Sequence, residues 1–193
     1  MPEPQTLPLD GAAPQQTPPA QQLAAWLRSL VRGHQNGVLA ELRRPNALDT
    51  QAAMIAMNFA GRDADDAMRD IYRRTAFLFA VYHRGATRNQ ALPGLGNLGA
   101  GCSRIGTAAG RGRNDPGAVR VMKRILGSRK VPWRHLQHAV ERMRSCDTAA
   151  PNWAQLADDL TRWTSKDAGI STNWSRAFFT PTYTPRTATE GTR

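Results

Sequence analysis

The sequence predicts an all-α protein: a helical bundle of about seven or more helices in one compact unit of two lobes, with disordered termini. Two observations predict it. From residue 21 onward, apolar residues recur at three- and four-residue intervals, the period that lines one face of a helix. Pro45, Pro93, Pro116, Pro132 and Pro151 all fall between such periodic segments, where a missing amide N–H breaks no helix.

Taken in order, residues 1–20 hold six prolines among Gln, Thr and Ala and too little apolar surface to offset ordering entropy, so they read as a disordered tail. Leu23, Trp26, Leu27, Leu30 and Val31 then make one apolar stripe flanked by Arg28 and Arg32. Gln35-Asn36-Gly37 is a turn, and a short helix over 38–44 is stopped by Pro45. Asp49 stands where a cap belongs for a helix whose apolar members are Met54, Ile55, Met57 and Phe59. After Gly61 a longer helix places Met68, Ile71, Tyr72, Thr75, Leu78, Phe79 and Tyr82 on one side.

Residues 85–112 are glycine-rich and free of aromatics, which predicts a long loop broken by one helix around 97–108. Asp115-Pro116 reads as a cap followed by proline in the first turn. Val119, Met122 and Leu126 face inward from that helix, leaving Arg120, Lys123 and Arg124 together on the other side. Pro132 opens a helix with Trp133, Leu136, Val140 and Met143 inside; Pro151-Asn152 opens one carrying Trp153, Leu156, Leu160 and Trp163; Ile170, Trp174 and Phe178 mark the last. The domain therefore spans 21–180, with lobes at about 21–84 and 114–180 joined by the basic, glycine-rich segment 85–113, and 181–193 form a second tail.

Charge points to function. The chain carries 26 Lys+Arg against 15 Asp+Glu, net +11, and residues 71–140 alone hold 13 basic side chains against the single acid Asp115. Positive charge concentrated in one stretch repels itself on folding unless a polyanion screens it, which is the footprint of a nucleic-acid partner. Arginine outnumbers lysine 23 to 3, and the guanidinium fork matches phosphate oxygens in pairs. The stretch from His83 to Pro132 lacks aromatics on which bases could stack, and the five tryptophans fall at core positions, so contact is expected to run through the sugar-phosphate backbone without sequence readout.

No basic segment followed by an apolar run opens the chain, and the longest apolar stretch, Ala76 to Tyr82, is too short to span a bilayer, so a cytoplasmic protein is expected. Cys102 and Cys146 are too few for a disulfide framework and read as reduced, buried thiols.

Other motifs carry less. Gly94-Leu95-Gly96-Asn97-Leu98-Gly99 is a literal G-x-G-x-x-G, but the segment before it is helical, Pro93 interrupts the approach and no acid follows at ribose distance. A loop running close to another backbone accounts for it better than a cofactor. His135 and His138 lack a third ligand, and Asp63, Asp65 and Asp66 lack the glycine and glutamate of a calcium loop, so neither cofactor nor metal is expected. Asp66 and Asp70 pair with Arg69, Arg73 and Arg74 or belong to an acidic first turn. Arg134, His138 and Arg142 form an i, i+4, i+8 stripe suited to phosphate, and Asp158-Asp159 read as a solvated helix face. Nothing here argues for an enzyme. The basic candidates for backbone contact outside the first helices are Arg73, Arg74, Arg104, Arg120, Lys123, Arg124, Arg134 and Arg142.

Several segments in order resemble a known family: Leu42-Arg43-Arg44 after a tryptophan-bearing helix, Leu98-Gly99, Arg120-Val121-Met122-Lys123-Arg124-Ile125-Leu126, residues 133–144, and Leu156-Ala157-Asp158-Asp159-Leu160-Thr161-Arg162-Trp163 followed by Trp174-Ser175-Arg176-Ala177-Phe178-Phe179. Over residues 22–179 the chain is similar to the CasB family, the small subunit of the type I-E CRISPR Cascade surveillance complex. The resemblance implies an all-helical, non-catalytic subunit that binds backbone and stabilises the target and displaced strands of the R-loop. It also implies as partners the guide CRISPR RNA, target DNA, a second copy of the chain, Cas7-type backbone subunits and the large subunit. It adds Arg43 and Arg44, which match the family's double arginine, to the nucleic-acid contacts and puts Arg120, Lys123 and Arg124 in its basic helix. Gln137-His138 stand where the family often carries paired arginines, and the glycine loop is longer than the family's. The competing expectations are a free-standing basic protein that coats DNA or RNA, and a small nucleotide-using enzyme built on the glycine loop.

Overall fold

The computed structural model describes residues 17–44, 50–85, 94–107 and 110–180. Among the described residues nine α-helices make up nearly all of the regular secondary structure: α1 (Pro19–Arg32), α2 (Asn36–Leu42), α3 (Gln51–Asn58), α4 (Asp66–Tyr82), α5 (Leu98–Cys102), α6 (Pro116–Leu126), α7 (Trp133–Ser145), α8 (Trp153–Thr161) and α9 (Ile170–Phe179). The fold is all-α, as the apolar period requires. Nine is in keeping with the expected seven or more, and the two shortest, α2 and α5, fall where short helices were expected, over 38–44 and around 97–108.

The long helix α4 organises the packing. It contacts α1, α2 and α3 on the N-terminal side and α7 and α8 on the other, while α1 also reaches α8, and α5 and α6 lie against α7 and α9. Buried side chains from both halves form one hydrophobic cluster that runs from Ala20 to Phe178. Trp153 and Trp174 are enclosed in it, Trp163 is buried at its edge, and Trp26 and Trp133 are half-buried, with Trp26 tilted against Phe59 at 5.6 Å. The Cys102 thiol lies wholly inside and its pKa is pushed up to about 12 by burial; Cys146 is half-buried, and both are free thiols.

Helix starts follow local chemistry. Asp65 caps α4 by accepting from the Met68 amide at 2.7 Å, which accounts for an aspartate of the calcium-like trio; Asn152 caps α8 and Asp115 caps α6. Several boundaries differ from expectation. α1 begins at Pro19 with Ala20 fully buried, so the first helix starts inside the proline-rich segment, proline being at home in a first helical turn. Thr50 caps α3, accepting from the Ala53 amide at 3.3 Å; Asp49 lies outside the described residues. The face α3 buries is alanine, Ala52, Ala53 and Ala56, whereas Met54 is 54% exposed, because small side chains let α3 approach α4 closely. Met68 is likewise exposed rather than interior.

The helix expected over 97–108 ends at Cys102. Beyond it a two-residue antiparallel ladder pairs Gly106-Thr107 with Gly110-Arg111. Gly106, at φ +122°, cannot continue a helix, and a Cβ there would stand 2.2 Å from the Gly110 carbonyl oxygen. Residues 1–16 and 181–193, which hold most of the two expected tails, lie outside the described residues.

Candidate nucleic-acid interface

The basic surface is built on α6. A short 3-10 turn, Gly112–Asn114, leads into it, and the Asp115 carboxylate accepts from the Ala118 amide at 2.6 Å while Pro116 occupies the first turn. With its phase fixed in this way, α6 buries Ala118, Val121, Met122 and Ile125 and turns Arg120, Lys123 and Arg124 to solvent. Lys123 and Arg124 fall in the last turn, where cations meet the negative end of the helix dipole. Val119 and Leu126, expected inside, are half-buried at the edge of this face.

Two shallow grooves run together there. One, of about 510 Å³, is lined by Pro116 and Val119 together with Arg113, Arg120, Lys123 and Arg124. The other, of about 590 Å³, is lined by Arg124 with Arg134, His135, Gln137, His138 and Glu141 of α7. Arg124 borders both, so the cations form one continuous surface. Its one lining acid, Glu141, accepts from the Gln137 amide at 2.9 Å. Arg113 was not singled out by sequence; its signal was position, in the turn just ahead of a capped basic helix.

The remaining sequence candidates occupy other places. Arg142 does not stand in the open with Arg134 and His138: its Nη2 pairs with the Asp115 carboxylate at 3.1 Å, and its guanidinium lies so close over Gly117 that a Cβ there would come within 2.1 Å of Nη1. It braces α7 against the start of α6. Arg73 is buried, bonded through Nη2 and Nε to Asp70 at 2.6 and 3.1 Å. Arg74 reaches the other Asp70 oxygen at 2.7 Å and stacks over the Trp133 ring at 5.1 Å. Of the two roles open to these arginines, the ion pair along the helix is the one the structure displays.

Arg104 is half-buried and donates to the carbonyls of Leu95 and Ala149 at 3.0 and 3.3 Å; burial lowers its pKa from the usual guanidinium value. Arg43 is the C-cap of α2 and half-buried; burial, then the charges of Arg84 and Arg144, lower its pKa. Arg44 beside it is exposed.

The glycine motif has a packing explanation. Asn97 caps α5, accepting from the Ala100 amide at 3.0 Å. A Cβ on Gly94 would lie 2.0 Å from the Pro151 carbonyl oxygen, and one on Gly99 2.0 Å from that of Trp174. The glycines let α5 and its approach lie directly on neighbouring backbone, as expected of a loop close to another chain segment. Asp159, expected on a solvated face, is instead buried at 6% exposure and accepts from the Trp174 indole N–H at 2.6 Å, because the apolar side of α8 needs an acceptor for that indole. Asp158 next to it remains exposed. Among the described residues no three His, Cys, Asp or Glu side chains stand together to hold a metal ion, and no helix is long and apolar enough to cross a membrane.

Comparison with known proteins agrees with this architecture. The crystal structure of CasB from Thermobifida fusca superposes with a TM-score of 0.66, covering 84% of this chain and 98% of that one at 16% identity, which establishes a shared fold. A search of curated protein sequences gives no match. The family model for CRISPR-associated protein Cse2 matches residues 38–179, a span that includes the capped basic helix, the brace from Arg142 and the buried Asp159–Trp174 pair. The chain therefore belongs to the CRISPR-associated Cse2 (CasB) family, the structural small subunits of CRISPR Cascade complexes.

Proposed function

We propose that this chain binds nucleic-acid backbone without sequence preference and, within a type I-E complex, stabilises the target and displaced strands of the R-loop. One observation carries the reading: Arg113, Arg120, Lys123, Arg124 and Arg134 line a continuous pair of grooves whose single acidic wall residue is Glu141. Such a surface gains free energy chiefly by releasing counterions from phosphates and offers no element shaped to read base edges. Guide pairing supplies specificity. The guide–target heteroduplex is about as stable as the DNA duplex it replaces, so modest protein contacts to exposed phosphates tip the balance towards the open state. Arg43 and Arg44 are proposed as further contacts, and the guide RNA, target DNA, a second copy, Cas7-type subunits and the large subunit as partners, in the cytoplasm and without a catalytic role or cofactor.

The test reconstitutes the complex with wild-type chain, with Arg120, Lys123 and Arg124 all changed to glutamate, and with no small subunit. Guide retention and target dissociation are measured separately. The expected outcome is intact guide retention with target lifetime shortened by an order of magnitude or more in the last two, since a charge-assisted contact contributes roughly 1.5–3 kcal/mol. Equal target lifetimes in all three, or loss of the guide first, overturn the reading. A chain that travels free of guide RNA is a coating protein instead.

A further inference from the structure

The groove on α7 differs from the one on α6 in the kind of charge it holds. His135, half-buried, and His138, exposed, stand one turn apart on α7, and both line the groove of about 590 Å³ with Arg124, Arg134, Gln137 and Glu141. Imidazole is the side chain that ordinarily changes charge between pH 5 and 8. Arg113, Arg120, Lys123 and Arg124 around the other groove are cations whose type stays charged throughout that range.

Few other charges face the two imidazoles. From α6 comes Arg124; α7 itself adds Arg134 and Glu141, and Glu141 accepts from the Gln137 amide at 2.9 Å. Arg142, one turn beyond His138, is held by Asp115, while Arg129 and Lys130 stand exposed in the turn that joins the two helices. Of the other helices packed on α7, α4 pairs Asp70 with Arg73 and Arg74, and α5 carries no charged residue. Among the described residues no carboxylate lies within ion-pair distance of either imidazole. With both rings neutral the groove lining holds two cations and one anion, a net of +1; with both protonated it holds +3.

We propose that nucleic-acid binding at this surface is proton-linked: a strand entering the α7 groove draws protons onto His135 and His138, so that it is held more tightly as pH falls through the neutral range. The ground is reciprocity. A phosphate beside an imidazole favours the charged ring, and the factor by which the strand strengthens proton binding is the factor by which the proton strengthens strand binding. An imidazolium also donates from both ring nitrogens, whereas the neutral ring donates from one, so protonation adds a donor for phosphate oxygen as well as a charge. The α6 groove is then a fixed cation surface and the α7 groove a proton-controlled one, with Arg124 common to both. That the ligand is a strand rests on the nucleic-acid reading above; the placement of a titrating pair in the groove does not.

The experiment measures the affinity of the full chain for a 30-nucleotide oligothymidylate at about pH 7.5 and about pH 5.5 and at one ionic strength, thymine and phosphodiester being without a titration in that range. The quantity compared is the ratio of the two affinities within each protein: wild type, H135Q/H138Q and H135R/H138R. Wild type is expected to bind about tenfold more tightly at the lower pH, the gain when the pair's proton affinity rises by about one pKa unit in the complex. Both variants are expected to keep a ratio within about twofold of one, since neither amide nor guanidinium titrates there. Melting curves establish that each protein is folded; where the lower pH unfolds one, about pH 8 and about pH 6.5 replace the pair of conditions. A wild-type ratio near one, or a tenfold ratio that persists in H135Q/H138Q, overturns proton linkage, and weakened binding by the α6 triple glutamate variant at about pH 7.5 then leaves the nucleic-acid reading standing. If that variant binds as wild type does and H135Q/H138Q loses the pH response, proton linkage stands and the α6 reading falls. Absence of wild-type binding at either pH overturns both.

Discussion

At the scale of single residues, two positions explain why the C-terminal part of the chain holds together. Gly99 brings α5 onto the backbone of α9, where a Cβ would meet the Trp174 carbonyl oxygen at 2.0 Å. Gly99→Ala is expected to cost about 3 kcal/mol, seen as a lowered denaturation midpoint with unchanged slope, since backbone cannot yield as a side chain can. Across the same helix, the Trp174 indole donates to buried Asp159. Burial raises the pKa of that carboxyl above its ordinary 3.8, more than the indole N–H and Arg162 lower it. The folded state thus binds the proton to higher pH than the unfolded chain does. This group's contribution is complete below about pH 3.8 and is lost as pH rises through the folded-state value. Asp159→Asn keeps an acceptor for the indole and removes the titration, so its melting temperature is expected to gain on wild type between about pH 4 and pH 7. Parallel curves would show that Asp159 does not titrate differently in the fold.

Among elements, α6 does the positioning. Its phase depends on Asp115, which both accepts from the Ala118 amide and anchors Arg142 of α7. Removing that carboxylate frays the helix start and releases the brace together. Asp115→Ala is therefore expected to destabilise by about 2 kcal/mol, the upper range for a lost cap, and to weaken nucleic-acid binding even though Asp115 is an acid near a basic surface. A simple charge effect predicts tighter binding. Measuring melting and oligonucleotide affinity on the same sample separates the two, and tighter binding would deny α6 its positioning role.

For the whole molecule, the number of phosphates its cations neutralise sets how binding responds to salt. If the grooves neutralise about six phosphates, affinity for DNA or RNA should fall on the order of a thousandfold between roughly 50 and 200 mM salt, with similar values for unrelated sequences. Titrations of two unrelated oligonucleotides across that range check this. A flat response, or strong preference for one sequence, is incompatible with a surface that reads phosphates.

What the sequence determined by itself was whatever depends on neighbours within a few residues. Helical period, the caps at Asp115 and Asn152, the first-turn Pro116 and the outward trio Arg120, Lys123 and Arg124 were legible because three or four residues of spacing define a helix face. The order of weak motifs from Leu42 to Phe179 was enough to point to the family. The tertiary structure decided which cations remain available. Arg142 carries the same charge in sequence as Arg124, but Asp115, 27 positions before it, holds it, whereas the pairs of Asp70 with Arg73 and Arg74, three and four residues apart, were legible along the helix. It also decided that Asp159 faces inward and that alanines rather than methionines form the buried side of α3. These outcomes turn on contacts between residues far apart in the chain, where a charge finds its partner or a volume its neighbour only once the helices have packed.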